Sequence, residues 1–328
     1  MRVQLLLESI HVVVERVERS SKRAALVINL RSRSGTASVE TAKRQLERRG
    51  IGVDHVYLVG SGRGIARAVS SAVRAGAHTI VVGGGDGTLS AAVDVLADQT
   101  DVVVGLLPLG TSNEVARALG VPLDLQGACD VIANGRVEVV DLARANSDYF
   151  VHTALVGYLA HVNFATPLWL KRRVGKIAHV FSLLTSTREI KPFRASVTAG
   201  DVRWENETIL VVVGNGRLHS PGRILLPASA RRESGLTVYA PRDLRWSTIV
   251  RLIVGWLVTR RPQPSLLLSA AADHVTVVTD PPQLVDLDGE ISRSTPVNFH
   301  LARRALRILV PQNEVTARSP SYPPRSTD

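Results

Sequence analysis

Thr79-Ile-Val-Val-Gly-Gly-Gly-Asp-Gly-Thr-Leu-Ser-Ala-Ala-Val-Asp-Val-Leu96 decides the fold. Its opening is a short β-branched run, the mark of a buried strand, and from Leu89 to Leu96 the apolar residues return at helical spacing. Between them three consecutive glycines, Gly83, Gly84 and Gly85, let the backbone turn sharply and bring its amides close to a ligand. The helix that follows points its positive end at the same spot. Read this way, Gly83 to Thr88 is a phosphate cradle; read alone, it is equally a tight turn in an α/β sheet. Asp86 and Gly87 sit inside it. A carboxylate there repels phosphates unless a divalent cation lies between, so the cradle reading makes Asp86 a ligand for Mg²⁺, directly or through water. The stretch fits neither the dinucleotide pattern G-x-G-x-x-G nor the P-loop G-x-x-x-x-G-K-[ST], since no lysine follows the glycines.

Upstream, Ala24 to Asn29 reads as a strand, Ser38 to Arg49 as an amphipathic helix stopped by Gly50, Val53 to Val59 as a second strand and Ile65 to Ala75 as a helix stopped by Gly76. That alternation predicts parallel βαβ units. Downstream, Val102 to Leu107 is a fourth strand, followed by Pro108-Leu-Gly-Thr-Ser-Asn-Glu114. Pro108 and Gly110 shape a loop at the carboxyl end of a parallel strand, where open α/β sheets bind ligands. Thr111 and Asn113 present short polar groups there, able to contact phosphate and also to cap the helix beginning at Glu114. Beyond Asp141 the texture changes to short extended segments, including Ala195 to Thr198, Thr208 to Val213, Leu236 to Ala240, His274 to Thr279 and Leu306 to Val310. A second, mainly β domain is expected from about residue 141.

The chain has 328 residues and is 45% hydrophobic, enough for two cores. Its single cysteine, Cys129, excludes an internal disulfide and a thiolate metal cluster, and nine histidines without paired spacing give no metal signal. Forty Lys and Arg against 29 Asp and Glu give a formal charge of +11, which suits an anionic partner. Aromatic content of 4%, with no interleaving of basic and aromatic residues, argues against nucleic acid and leaves nucleotide or acidic lipid headgroups. Glu8, His11, Glu15 and Arg16 spoil a signal-peptide core, and the run from Ile249 to Val258 is far short of the roughly 20 residues needed to span a bilayer. The expectation is a cytoplasmic protein, soluble or peripherally membrane-associated.

The pair Gly84-Gly-Asp-Gly-Thr88 and Pro108-Leu-Gly-Thr-Ser-Asn-Glu114, in that order, resembles the diacylglycerol kinase catalytic-domain family, which also includes sphingosine and ceramide kinases and bacterial lipid kinases. The likeness extends over residues 24 to 311, through Asn29-Leu-Arg-Ser-Arg-Ser-Gly35, Leu119-Gly-Val-Pro122, Val213-Gly-Asn-Gly216, Leu287-Asp-Gly-Glu290 and Ala305 to Pro311. It implies an N-terminal nucleotide-binding α/β domain of the NAD kinase and phosphofructokinase kind, here residues 24–140. A C-terminal β-sandwich that takes the lipid follows at 141–293, then a final segment, 294–311, returning toward the first domain. Residues 1–23 would be an extension and 312–328 a disordered tail. It further implies ATP and Mg²⁺ as cofactors, with Asn29, Ser34 and Gly35 bordering the nucleotide, Gly83 to Thr88 holding phosphates and Thr111 touching them.

Asp288-Gly-Glu290 is two carboxylates on a tight turn after an apolar strand, a frequent surface feature that the resemblance turns into the family's proposed base. A lipid hydroxyl must lose its proton as it attacks the γ-phosphoryl group. Glu290 is expected to accept it, with Asp288 assisting. Diacylglycerol is the leading substrate, on an anionic membrane surface; oligomeric state is open, a homodimer included. The segment Pro167 to Lys176, with Leu168, Trp169 and Leu170 beside four cations, offers a membrane contact or a solvated helix, and Trp246 to Arg261 reads as core.

The sequence departs from the family pattern at Glu114, where an aspartate is usual, and at Ser234, where relatives carry an aspartate of a second Mg²⁺ site. It also departs at Pro221-Gly-Arg223, which replaces a more glycine-rich turn. Asp141 completes the acidic set; His152 reads as structural. Two other readings stay open: a non-catalytic lipid-binding homologue, and a kinase acting on a soluble alcohol.

Overall fold

The computed structural model describes residues 23–97, 99–157, 191–216, 218, 235–243, 248 and 266–312. The sequence features at 167–176, 221–223 and 234, both termini, and all of 246–261 except Thr248 lie outside these residues. The chain divides into two compact units. One holds residues up to 88, 100–139 and from 307 onward; the other holds 89–99 and 140–306.

In the first unit the order is β1 (Arg23–Asn29), α1 (Gly35–Arg48), β2 (Gly52–Val59), α2 (Gly62–Arg74), β3 (Thr79–Gly84), the first turn of α3 (Asp86–Leu96), β4 (Val103–Pro108), α4 (Glu114–Ala118) and α5 (Leu125–Asn134). β1 and β3 are apolar and almost wholly buried because helices cover a parallel sheet on both faces. The helices form where the sequence supplies a stripe and a stop. α2 buries Ile65, Ala68, Val69 and Ala72, its Ser61 hydroxyl accepts the Gly64 N–H at 3.2 Å, and Gly76 at φ +78 ends it. Burying a side chain the size of Ile65 contributes about 1.5–3 kcal/mol. Asp124 caps α5 in the same way, accepting from the Gly127 N–H at 2.8 Å.

The strands β2-β1-β3-β4 pair in parallel in that order, and the end of β16 (Val297–Val310) adds to β4, also in parallel, through Ile308 opposite Val104. The chain leaves β1 toward β2 on one side and leaves β3 toward β4 on the other. The carboxyl ends of β1 and β3 are therefore the topological switch point, the place where open α/β sheets bind ligands.

The second unit begins within β5 (Arg136–Ala145) and continues through β6 (Asp148–Phe150), β7 (Thr153–Gly157), β8 (Phe193–Ala199), β9 (Val202–Thr208), β10 (Leu210–Asn215), β11 (Leu236–Pro241), β12 (Leu267–Ala272), β13 (His274–Asp280), β14 (Leu284–Leu287), β15 (Glu290–Ser294) and the first part of β16. One sheet runs β12-β11-β10-β7-β14-β15, the other β16-β13-β8-β9, and their pairings are antiparallel. β8 and β13 alternate buried and exposed residues, as strands with one face in a core must. The inward faces meet in a core that includes Phe193, Val197, Val213, Val238, Val285 and Val297, with the Phe150 and Phe299 rings edge to face at 6.0 Å. This is the expected sandwich.

Several local expectations are revised: the helix read from Ile65 starts at Gly62, and the segment read as Thr208 to Val213 divides between β9 and β10. The first helix starts at Gly35 rather than Ser38, because the Gly35 turn itself opens it. The helix after the glycines starts at Asp86 rather than Leu89, so Asp86, Gly87 and Thr88 form its first turn. The last strand is 14 residues long rather than the five from Leu306 to Val310, since Val297 to His300 pair with β13 and bury Val297 and Phe299 in the second core.

Candidate active site

In the first unit the predicted loops are knitted to one another at the switch point. Gly83 and Gly84 end β3 opposite Leu107 and Pro108 of β4, and the Leu109 N–H donates to the Gly84 carbonyl at 2.9 Å. The loops then pack backbone to backbone. A Cβ placed on Gly110 would lie 2.4 Å from the Gly85 Cα and 2.8 Å from the Asn113 Oδ1, and one on Gly84 would lie 2.2 Å from the Thr88 hydroxyl. These contacts, more than conformational freedom, require glycine here.

The β1 loop joins the same cluster. Asn29 Nδ2 donates to the Thr88 Oγ1 at 3.0 Å while its Oδ1 accepts the Arg31 N–H at 3.0 Å. The Ser32 hydroxyl donates to the Asn29 carbonyl at 2.6 Å, and a Cβ on Gly35 would lie 2.2 Å from that same carbonyl oxygen. The Ser34 N–H reaches the Leu109 carbonyl at 3.4 Å. Asn29, Gly35, Gly84, Gly85, Thr88 and Gly110 thus share one small region. Ser34 and Thr111 are exposed at its loops.

The side-chain bond to the N-terminus of α4 comes from Asp86 and not from Asn113. Asn113 stands just before α4 in the left-handed region, φ +48, and its side chain makes no cap bond. It is buried: its Oδ1 accepts the Gly110 N–H at 3.0 Å and its Nδ2 donates to the Pro108 and Gly110 carbonyls at 3.2 and 3.1 Å. The bond to the α4 N-terminus comes instead from Asp86, whose Oδ1 accepts the Val115 N–H at 3.0 Å. A carboxylate at a helix N-terminus is favoured by the positive end of the dipole, and here it also ties the glycine loop to the next loop. Among the described residues no three His, Cys, Asp or Glu side chains converge on an ion site. An Mg²⁺ that arrives with nucleotide phosphates needs one or two protein carboxylates, which Asp86 fits.

In the second unit the D-G-E turn joins β14 to β15. Asp288 has φ +52 and Gly289 φ +98. The Asp288 carboxylate accepts three backbone N–H groups, from Val151 at 2.7 Å and from His152 and Thr153 at 2.9 Å each. Both oxygens are therefore committed to the turn between β6 and β7. Asp286, 1% exposed, accepts the Gly289 N–H at 2.7 Å and fixes the turn from the other side. Glu290 is the exposed member of the trio. His152 Nδ1 meets the Thr153 hydroxyl at 2.7 Å, a local contact in keeping with its structural reading. Asp141 accepts the Arg304 N–H at 2.8 Å, where Arg304 has φ +54.

Two residues escaped the sequence reading. Asp286 stands two before Asp288, and the pattern Asp-x-Asp-Gly is itself a signal, since the first aspartate can close an Asx turn on the glycine amide. Asn215 is part of Val213-Gly-Asn-Gly216, and nothing in its local spacing announces long-range bonds.

The sequence profile described as the diacylglycerol kinase catalytic domain matches residues 23–145. A protein of Xanthomonas campestris pv. campestris named "Probable lipid kinase YegS-like" is 30% identical over 298 residues, covering 87% of this chain and 95% of the relative. A Pseudomonas aeruginosa protein of the same name is 31% identical over 259 residues, 77% of this chain and 83% of that one. Among solved structures, a diacylglycerol kinase from Bacillus anthracis superposes with a TM-score of 0.66 at 19% identity, covering 88% of this chain and 97% of the other. An NAD kinase from Archaeoglobus fulgidus in complex with ATP gives 0.50 at 12% identity, covering 88% and 93%. At those identities the structures speak for the fold, which is the α/β domain and sheet-rich partner described above. The sequence relationship, at 30% identity over nearly the full length of the Xanthomonas protein, goes further: this chain belongs to the diacylglycerol kinase catalytic-domain family.

Proposed function

We propose that this protein is an ATP-dependent lipid kinase that phosphorylates a membrane lipid hydroxyl, with diacylglycerol as acceptor and phosphatidic acid as product. The observation that carries the reading is the meeting of the β1 and β3 loops at the switch point through the Asn29–Thr88 hydrogen bond, in a chain whose relatives are named lipid kinases. Gly83 to Thr88 hold the phosphates of ATP. The amides of the first turn of α3 and its positive end favour them, and a Cβ on Gly87 would meet nothing within 4 Å, which leaves room for a phosphate. Asn29, Ser34, Gly35 and Thr111 border the nucleotide, and Asn113 keeps the loop in shape.

Asp86 is the carboxylate for Mg²⁺, which when bound neutralises phosphate charge. The acceptor oxygen attacks the γ-phosphorus as the bond to the β–γ bridging oxygen breaks. ADP leaves, and the hydroxyl proton passes to Glu290, the exposed carboxylate of the D-G-E turn. Asp288, held by three amides, positions that turn. A formal charge of +11 favours anionic membrane surfaces, and no helix among the described residues is long and apolar enough to cross one, so a peripheral mode fits the reading.

The test is transfer of labelled γ-phosphate from ATP and Mg²⁺ to a panel of vesicle-borne lipids and to soluble alcohols, NAD included, comparing wild type with Asp86→Ala and Glu290→Gln. Transfer to diacylglycerol, lost in Asp86→Ala and cut to a small residual rate in Glu290→Gln, is the expected result. Transfer to a different lipid would change the substrate, transfer only to a soluble alcohol would overturn the lipid reading, and none from folded, ATP-binding protein would overturn the kinase reading.

A further inference from the structure

The motif Val213-Gly-Asn-Gly216 ends β10, the strand beside β7, which in turn pairs with β14. Asn215 is 2% exposed, yet its side chain serves no strand ladder. Its Nδ2 donates to the Asp141 carbonyl at 3.1 Å and to the Val151 carbonyl at 3.0 Å, and its backbone N–H donates to the His152 carbonyl at 3.0 Å.

The Val151 carbonyl and the His152 N–H belong to one planar peptide unit; the His152 carbonyl and the Thr153 N–H belong to the next. Asn215 therefore holds the oxygen side of the same two units whose nitrogen side is held by the Asp288 carboxylate. A peptide plane fixed at both edges cannot rotate without breaking a bond to one side or the other. Because the Asp288 carboxylate accepts three amides from Val151 to Thr153, the direction of those two planes helps set where Asp288 lies, and Asp288-Gly289 leads into Glu290.

We propose that Asn215 is a positioning residue for phosphoryl transfer: through the Val151–His152 and His152–Thr153 peptide units it orients Asp288 and so the proton acceptor Glu290. The proposal rests on the reading that Glu290 takes the acceptor's proton. Asn215 does not touch substrate. Its loss is expected to lower kcat and to leave ATP binding, a property of the first unit, intact.

The experiment places Asn215→Ser, which keeps one hydroxyl donor, into wild type and into Glu290→Gln, with Asn215→Asp as a second variant that keeps the volume. Single-turnover transfer of labelled phosphate gives the rates, and amide hydrogen exchange follows Val151 to Thr153. Misplacing a catalytic group by about 1 Å costs up to about a hundredfold. The expected result is a ten- to hundredfold drop in kcat, KM for ATP within about twofold, and faster exchange at His152 and Thr153. In the Glu290→Gln background the same substitution should lower the rate by less than about twofold, because the group it positions is gone. Equal losses in both backgrounds would make Asn215 merely structural and overturn the proposal, as would a folded variant with unchanged rate or unchanged exchange. Wild type without phosphoryl transfer would defeat the kinase reading instead, and the exchange arm would still report on the link between Asn215 and the two peptide units. Failure of both variants to fold would place Asn215 in stability rather than positioning and would also overturn it.

Discussion

Asp288 and Thr153 are bonded in both directions: the Thr153 N–H donates to the Asp288 Oδ1 and the Asp288 N–H donates to the Thr153 carbonyl, each at 2.9 Å. With the Val151 and His152 amides on the same carboxylate, the first acidic residue of the D-G-E turn is spent on holding the turn. Asp288 and Glu290 should therefore fail in different ways. Asp288→Asn keeps a residue that tolerates positive φ but sets an NH₂ group against backbone N–H donors. It should lose about 2–3 kcal/mol of stability together with activity. Glu290→Gln, at an exposed position, should change stability by no more than about 0.5 kcal/mol while lowering transfer by about a hundred- to ten-thousandfold to a measurable residual rate. Denaturant unfolding beside a phosphoryl-transfer assay separates the two, and equal stability losses would contradict the division of labour.

The glycines of the first unit divide similarly. At Gly110 a Cβ would run into the Gly85 backbone, which has no flexible end to move aside. Gly110→Ala should destabilise by about 1–3 kcal/mol and weaken ATP binding together. At Gly87 the space is open, so Gly87→Ala should fold with wild-type stability. Its methyl would then occupy room proposed for phosphate, and ATP affinity alone should fall, by about tenfold or more. Calorimetric titration with ATP and thermal melts of both variants check this; unimpaired ATP binding by Gly87→Ala would move the phosphates elsewhere.

Asp86 carries two separable functions, a hydrogen bond to the Val115 N–H and a negative charge. Asp86→Asn can keep the first and loses the second. It should leave stability nearly unchanged and reduce Mg²⁺-dependent turnover about a hundredfold or more. Asp86→Ala loses both and should cost about 1 kcal/mol of stability in addition, the usual value of a helix cap. Melting curves with and without ATP and Mg²⁺ distinguish the variants, and full turnover by Asp86→Asn would remove the charge from the mechanism.

The double part played by Asp86 marks where the sequence stops being legible. Strand, glycine turn and helix at 79–96 are local, and so they read directly from β-branched runs, glycines and apolar spacing. The cap on α4 is not local: the sequence offers Asn113, three residues after Gly110, and the structure uses a carboxylate 29 positions away. Asn113 is diverted because the Gly110 loop leaves carbonyls that need donors and an N–H that needs an acceptor, and its short amide supplies two N–H donors and an oxygen acceptor at once. The D-G-E turn was legible as a turn. That its first carboxylate would meet amides more than 130 residues earlier in the chain was not, because antiparallel registry between β7 and β14 brings them together. Asn215 was hidden for the same reason.

The other end of β15 carries a charge that predicts acid behaviour. Asp148, on β6, accepts from the Ser292 hydroxyl at 2.5 Å and from the Arg293 guanidinium, both on β15, and from Ser147. Burial pushes the Asp148 carboxyl up; the bonds from Ser292, Arg293 and Ser147 and the charge of Arg293 outweigh it, so the group lies below the ordinary aspartate range. A carboxyl depressed in the folded state binds fewer protons folded than unfolded, and stability then rises with pH across the interval between the two values. The contribution is whole above the unfolded value, about pH 4, and disappears as pH falls through the lower folded one. Arg293, which contributes both a hydrogen bond and a charge to that shift, can be removed without uncharging Asp148. Melting temperature measured from pH 7 down to pH 2.5 should therefore fall less steeply below pH 4 in Arg293→Gln and Asp148→Asn than in wild type. Because Asp148 is partly exposed, raising the salt concentration should flatten the wild-type curve toward the variants. Curves that stay parallel at every pH would show that the β6–β15 link carries no proton-linked stability and that acid loss originates elsewhere.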